Sequence, residues 1–199
     1  MSTDTILGDE ALDILFREAR THKAWNGKDV TDVLVQAVYD LMKWGPTSAN
    51  CCPARFVFIK SKEAKERLKP HLDAGNVDKT MSAPIVAIIA YDMDFVSKMG
   101  KLAPHMKDPS RMFGTDEAKL RETAFRNGTL EGGYFMLAAR ALGLDCGPMS
   151  GFNKDGVKAE FLSDTKYEPN FLCNLGYGDT AQLFPRAPRL EFDEACEIL

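Results

Sequence analysis

Glu18–Trp25 reads EARTHKAW and places Arg20, Thr21, His22 and Lys23 in one run. Lys43–Phe56 reads KWGPTSANCCPARF, with Pro46, Thr47, Ser48 and Asn50 ahead of a β-rich stretch. Asn76 and Lys79 share GNVDK, and Arg186 and Arg189 share FPRAPRL. Cations donate charge-assisted hydrogen bonds to anionic oxygens, and hydroxyls and amides add neutral ones. The four segments together carry what a polar, flat, phosphorylated ligand needs. Each alone also fits a plainer role. Arg20 and Lys23 suit a helix C-terminus, Thr47, Ser48 and Asn50 suit a turn, and Arg186 and Arg189 suit a surface.

Other chemistries lack their residues. The chain has no GxGxxG for a dinucleotide, no GxxxxGK[ST] for a nucleoside triphosphate and no GxSxG nucleophile turn. Five cysteines and three histidines, with no CxxC, argue against a zinc site, and no metal is expected. Cys51 and Cys52 are adjacent, and all five cysteines read as reduced, mostly buried thiols. The formal net charge is −4 with the signs mixed, so no basic field for nucleic acid is present. The N-terminal residues show no basic leader, and the longest apolar run, Ala83–Tyr91, is too short for a membrane helix. A cytoplasmic protein with no membrane partner is expected.

The elements that must hold these segments are legible from periodicity. Leu12, Leu15, Phe16 and Ala19 predict a helix over Asp9–Arg20. Thr31 caps a second helix running to Trp44, with an apolar face at Val33, Leu34, Ala37, Val38, Leu41 and Met42. Arg55–Lys60 reads as a strand. Ser61–Lys69 reads as a charged surface helix with Lys62/Glu66 and Glu63/Arg67 pairs, and Asn76–Met81 as a short turn of helix. Pro84–Tyr91 is near-continuously apolar, which predicts a central strand covered on both faces.

Asp92–Thr115 breaks the pattern with two glycines and two prolines among Met, Phe and His, and reads as a lid-like excursion with some helix. Glu117–Leu142 is the longest helical pattern. Its Gly128, Gly132 and Gly133 predict close approach to another backbone, in the chain or in a dimer. A short strand over LDCGPMSGF, a helix at Asp155–Leu162, a strand over FLCNLGYG and a terminal helix at Phe192–Leu199 complete the chain. This is one α+β domain over residues 1–199, with too few βαβ units for a doubly wound sheet.

The order of these segments resembles the FMN-dependent nitroreductase family from about Leu12 to the C-terminus. LMKWGPTSANCCPARFVFI, ETAFRN, ALGLDCGPMSGF and LGYGD are most similar to the subgroup containing the malonic semialdehyde reductase of pyrimidine-ring degradation. The resemblance implies a mostly antiparallel sheet flanked by helices, in an intertwined homodimer with FMN at the interface. It places Pro46, Thr47, Ser48 and Asn50 against the flavin, leaving Cys51 and Cys52 outside the matching positions. Arg20, Thr21 and His22 match the segment that reaches the phosphate and pyrimidine edge. Asn76 and Lys79 match an Asn-x-x-Lys at ring N1 and O2, where a cation offsets the charge of the reduced ring. Pro148, Met149, Ser150 and Gly151 match a turn at N5 and O4, and Arg189 matches a phosphate ligand. The chain departs from many relatives at Ala19 and Ala187, where they carry cations.

The implied activity is hydride transfer from NADPH or NADH, bound transiently, through FMN to a small carbonyl compound. Malonic semialdehyde, reduced to 3-hydroxypropanoate, is the expected substrate. No side chain is expected to act as nucleophile, because the flavin carries the redox chemistry. His105 and Arg111 of the excursion are the expected contacts for the substrate's carboxylate. The alternatives are a broad nitro- or quinone reductase on the same scaffold and a flavin-binding protein without turnover.

Overall fold

The computed structural model describes residues 6–199. One four-stranded sheet runs β1 (Ala54–Ile59), β2 (Ile85–Asp92), β4 (Tyr167–Gly176), β3 (Asp145–Met149), with every neighbouring pair antiparallel. All eight residues of β2 are buried, as its unbroken apolar run predicts. Its side chains alternate between two cores. Ile85, Ala87 and Ile89 face one, with Val38, Met42, Phe135 and Ala139. Val86, Ile88 and Ala90 face the other, with Leu68, Val157 and Leu172. The period of two in a strand thus joins a helix layer to each face of the sheet.

The first core is covered by α2 (Asp32–Met42) and α7 (Glu117–Ala141), the second by α3 (Lys62–Leu68) and α8 (Lys154–Phe161). Their starts follow capping chemistry: Thr31, Ser61, Asp116 and Asn153 each accept a hydrogen bond from a backbone N–H two or three residues into the helix. In α7, a Cβ added to Gly128 would lie 2.9 Å from Tyr91 Cβ, and one added to Gly132 would lie 2.6 Å from Phe171 Cζ. These two glycines let the helix settle onto β2 and β4 of its own chain. Gly133 faces open space. Register slips between Ile89 and Ala90, where Phe171 and Pro169 oppose them and Asn170 is left over. Pro169 has no N–H to give, and a bulge is where a strand tolerates that.

Several expectations are corrected. The first helix is α1 (Asp9–Leu12) followed by a π-helical turn, Asp13–Arg17, and Ile14 and Phe16 remain exposed. Val33 and Leu41 of α2 are exposed as well, so its buried face is narrower than the apolar pattern. In α3, Arg67 pairs with Glu160 and Glu66 with Lys69, across elements and at i,i+3 rather than in the expected pairs. The terminal helix shrinks to α9 (Phe192–Ala195), one exposed turn. α4 (Val77–Met81) forms where the short turn was expected.

The excursion after β2 carries the helix expected of it. It folds into a 3₁₀ turn (Phe95–Lys98), α5 (Met99–Leu102) and α6 (Ser110–Phe113). Phe95, Met99, Ala103 and Phe113 bury themselves with Cys51, Tyr91 and Ala124 as a third apolar cluster. No helix is long and apolar enough to cross a membrane among the described residues.

Candidate active site

Two cavities collect part of the residues singled out by the sequence; Thr47, Ser48, Asn76 and the Pro148–Gly151 turn line neither. The first, about 620 Å³, is lined by Arg20, Thr21, Lys79 and Arg189, with Lys23, Arg140 and Arg186 beside them. Local structure explains the convergence. Thr21 forms a parallel bridge with Cys146, and His22 N–H donates to Cys146 O at 3.0 Å. The Arg20–Lys23 segment therefore extends the sheet beyond β3. Lys79 comes from α4, whose end is fixed where Lys79 O accepts from Trp25 Nε1 (3.0 Å) and Asn174 Nδ2 (3.2 Å). The C-terminal segment closes the third side. Arg20 donates to Phe184 O, Arg186 to Ala19 O at 3.1 Å, and Lys23 Nζ lies 3.3 Å from the centre of the Phe184 ring.

Asn76 joins this cluster to the turn after β3. Its Nδ2 donates to Gly151 O at 2.6 Å, and Asp73 N–H donates to the same oxygen at 3.2 Å. A Cβ on Gly151 would lie 2.6 Å from Asn76 Nδ2, so the turn needs glycine there. Thr80 Oγ1 reaches Met149 Sδ at 3.4 Å. Pro148, Met149, Ser150 and Gly151 are thus tied to the helix that carries Lys79.

His22 departs from expectation. Its side chain is buried behind the cavity, with Nε2 3.4 Å from Asp145 and Nδ1 enclosed without a partner. It packs under Trp25 and against Gly178, where a Cβ would lie 1.9 Å from Nδ1. Its neighbour Lys23 reaches the cavity instead. Arg140 is a residue that sequence reasoning missed, since near the end of α7 it reads as an ordinary helix C-terminal cation. One of its donors, Nε, is buried and unpaired.

The Pro46–Asn50 turn lies elsewhere. Ala49, Asn50 and Cys52 all have positive φ (48°, 59° and 37°), a region that costs non-glycine residues of order 1–3 kcal/mol each. The short polar groups of this join hold it there. Thr47 Oγ1 accepts from Cys52 N–H at 3.1 Å, and Ser48 N–H donates to Asn127 Oδ1 at 2.8 Å. Asn50 Nδ2 donates to Leu102 O at 2.8 Å, and Tyr134 OH to Pro46 O at 3.1 Å. Burial pushes the Cys51 thiol up to about 12 and raises Cys52 as well. Both stay protonated, and a protonated thiol is neither nucleophile nor metal ligand.

Pro46 and Asn50 line a second cavity of about 660 Å³, walled by Tyr39, Trp44 and Phe56 and edged by Arg55, Lys101, Cys52 and Glu131. The two cavities share no lining residue. Ala54 pairs with Tyr91 and Tyr91 with Glu168 at one end of the sheet, whereas Leu175 pairs with Cys146 at the other. Seven residues of β4 at about 3.4 Å each put these ends roughly 24 Å apart, on opposite edges. Lys101 and Glu131 were also missed. Glu131 had a signal, since it falls on the same helical stripe as Asn127, Gly128 and Phe135.

His105 and Arg111 line neither cavity, and Arg111 is exposed and paired with Asp108 at 3.4 Å. From the same excursion Lys101 lines the second cavity. No cluster of three or more His, Cys, Asp or Glu residues suited to a metal ion occurs among the described residues.

A family model described as "Nitroreductase family" matches residues 16–177. The chain belongs to the nitroreductase family. A Ralstonia nicotianae relative, named as a candidate NADH dehydrogenase/NAD(P)H nitroreductase, is 51% identical over 97% of this chain and 98% of its own length. A relative of the same name from Stenotrophomonas maltophilia is 56% identical over 94% and 95%. The fold matches the crystal structure of a candidate nitroreductase from Exiguobacterium sibiricum in complex with FMN. That match has a TM-score of 0.83 at 21% identity and covers 100% of each chain. The antiparallel sheet with helices on both faces is thus the nitroreductase fold.

Proposed function

We propose that this nitroreductase family protein is an NAD(P)H-dependent oxidoreductase that binds FMN between two copies of the chain. The observation that carries this reading is the basic cavity. Arg20, Lys23, Arg140, Arg186 and Arg189 surround one space with the hydroxyl of Thr21, a donor set suited to a phosphate dianion. No acidic side chain among the described residues lines this space to compete for those donors. The residues present fit the group. Arg20, Thr21 and Arg189 would hold its phosphate, and Lys79 and Asn76 the N1–O2 edge of the ring. The Pro148–Gly151 turn would meet the N5–O4 edge.

When bound, FMN accepts hydride from a transient nicotinamide and passes it to the second substrate. The chain's own residues bind, orient and exclude water. The Pro46–Asn50 turn and the basic cavity lie by opposite ends of the sheet, about 24 Å apart along β4, so within one chain the turn does not reach the same ring. A second copy brings it there. The exposed Phe184, Leu190 and Phe192 of the C-terminal segment, the open Gly133 of α7 and the unpaired edge of β1 give such a dimer its surfaces.

The substrate we favour is a small aldehyde carrying a carboxylate, with malonic semialdehyde the best fit. Lys101 and Lys43 line the cavity beside Asn50 and offer the cation its carboxylate needs. The aromatic walls at Tyr39, Trp44 and Phe56 favour a second reading, a broad nitro- or quinone reductase.

The purified protein should carry FMN and bleach it on anaerobic mixing with NADPH or NADH. Bound FMN that neither nucleotide reduces would point to a flavin-binding protein without turnover. Arg189→Ala and Arg20→Ala should each raise the FMN dissociation constant about tenfold, the loss of one charge-assisted bond of about 1.5–3 kcal/mol. Unchanged titrations for both variants would remove the phosphate from this cavity.

A further inference from the structure

Glu131 lies on the face of α7 that meets the start of β1, and only 6% of it is exposed. Its Oε2 accepts a hydrogen bond from Ala54 N–H at 2.8 Å. The other oxygen has no hydrogen-bond partner among the described residues. Unlike the enclosed His22 Nδ1 and Arg140 Nε, it opens onto the second cavity. The charged neighbours do not neutralise it. Arg55 is turned away, its guanidinium bonded to Cys52 O, Ala54 O and Asp92 Oδ2. Cys51 and Cys52 are neutral thiols, and Lys43, Lys101 and Tyr39 line the cavity without pairing with the carboxylate.

The other donors nearby are committed. The Asn50 amide serves Leu102 O, and the Cys52 thiol serves Asn50 Oδ1 at 3.3 Å. Glu131 is therefore an unpaired acid with one free oxygen on a ligand-sized space. Burial raises it from an ordinary 4.5 to about 7, against the opposing pull of Ala54 N–H and Arg55. A carboxyl raised by burial keeps its proton closer to neutrality than an ordinary one, the condition for a general acid.

We propose that Glu131 is a catalytic acid, giving its proton to the oxygen of a small carbonyl ligand in the second cavity as hydride from the reduced flavin held at the second copy's basic cavity reaches the carbonyl carbon. The inference rests on the flavin reading above. The step balances. Hydride brings two electrons and forms the new C–H bond, the C=O π pair moves to oxygen, and that oxygen takes the Glu131 proton. The product is the alcohol, and the carboxylate left behind recovers a proton from water at the cavity mouth.

Glu131→Gln tests this with little structural change, because the amide oxygen still accepts from Ala54 N–H. Holoenzyme reduced by NADPH is mixed with malonic semialdehyde and, separately, with ferricyanide, which takes an electron and no proton. The variant should lose about 100-fold in the aldehyde rate and stay within about twofold on ferricyanide. The native aldehyde rate should fall as pH rises through about 7, and the variant's should not. In the flavin-free chain, the infrared band of a protonated carboxyl should persist at pH about 6 and vanish in the variant.

Equal losses on both acceptors, or an aldehyde rate that is unchanged, would overturn the proposal. So would a native enzyme that does not reduce the aldehyde. A native chain without a protonated carboxyl at that pH would overturn it even if the variant failed to fold. Absence of ferricyanide reduction by the native enzyme would overturn the flavin reading itself.

Discussion

Glu131 also has a consequence for stability that is independent of any reaction. Its carboxyl ionises near 4.5 in the unfolded chain and near 7 in the fold. Between those values the folded state binds the extra proton, so stability falls as pH rises through that window. The full shift corresponds to on the order of 3 kcal/mol. Glu131→Gln should therefore match the native protein near pH 4.5 and exceed it by up to about that amount at pH 8. Urea titrations at the two pH values would show it, and a difference that does not change with pH would mean the carboxyl is not raised. Lys101 gives a second prediction at this scale. On the aldehyde reading, Lys101→Met should cost about tenfold in kcat/KM on malonic semialdehyde and leave a neutral nitroaromatic largely unaffected. Arg111→Met should alter neither, because Arg111 points away and pairs with Asp108. The reverse pattern would restore the outer helix as the substrate contact. The contrast also shows why sequence alone chose Arg111. Both cations sit in one irregular stretch, and only the folded chain shows that Lys101 lines the second cavity while Arg111 pairs with Asp108 outside it.

At the scale of elements, the sequence was most legible where periodicity and burial agree. β2 and α7 were readable in type and nearly in extent, because an unbroken apolar strand and a long capped helix each have one physical solution. The N-terminal helix and α2 were over-read. Phe16, Val33 and Leu41 belong to apolar stripes, yet the chain by itself leaves about half or more of each exposed. The basic cavity was legible as three of the four polar segments, because cations and hydroxyls stand out in short polar runs. His22 was misplaced because an imidazole between Thr and Lys carries no sign of its burial. Glycines gave a mixed signal in α7 that the structure resolves residue by residue. Gly132→Ala would drive a methyl into Phe171 and should destabilise the protein by about 1–3 kcal/mol. Gly133→Ala meets open space and in an isolated chain should stabilise the helix by about 1 kcal/mol. If α7 packs on a second copy at Gly133, that variant should instead weaken self-association. Denaturant titration together with sedimentation at several concentrations separates the two outcomes.

The whole molecule leaves its C-terminal segment unsupported. Phe184, Leu190, Phe192, Ile198 and Leu199 are all exposed, between 58% and fully, although the same segment supplies Arg186 and Arg189 to the basic cavity. Five large apolar side chains exposed within sixteen residues are an unfavourable arrangement for a lone chain, and a second copy would remove them from water. Nearby, Leu15, Leu41, Tyr134 and Leu137 border a shallow apolar groove between α2 and α7. A second copy that laid its tail across the first would cover these residues. The same contact would carry the Pro46–Asn50 turn of one copy toward the basic cavity of the other. Deleting residues 190–199 separates folding from assembly, because none of them is buried in the chain's own cores. The shortened protein should keep its far-ultraviolet spectrum, since the deletion spares the sheet and α7. It should sediment as a monomer, and its FMN affinity should fall about tenfold or more even though Arg186 and Arg189 remain. A deletion that stayed dimeric with native FMN affinity would show that the tail does not join the copies, and the shared site would then have to be assembled by α2 and α7 alone.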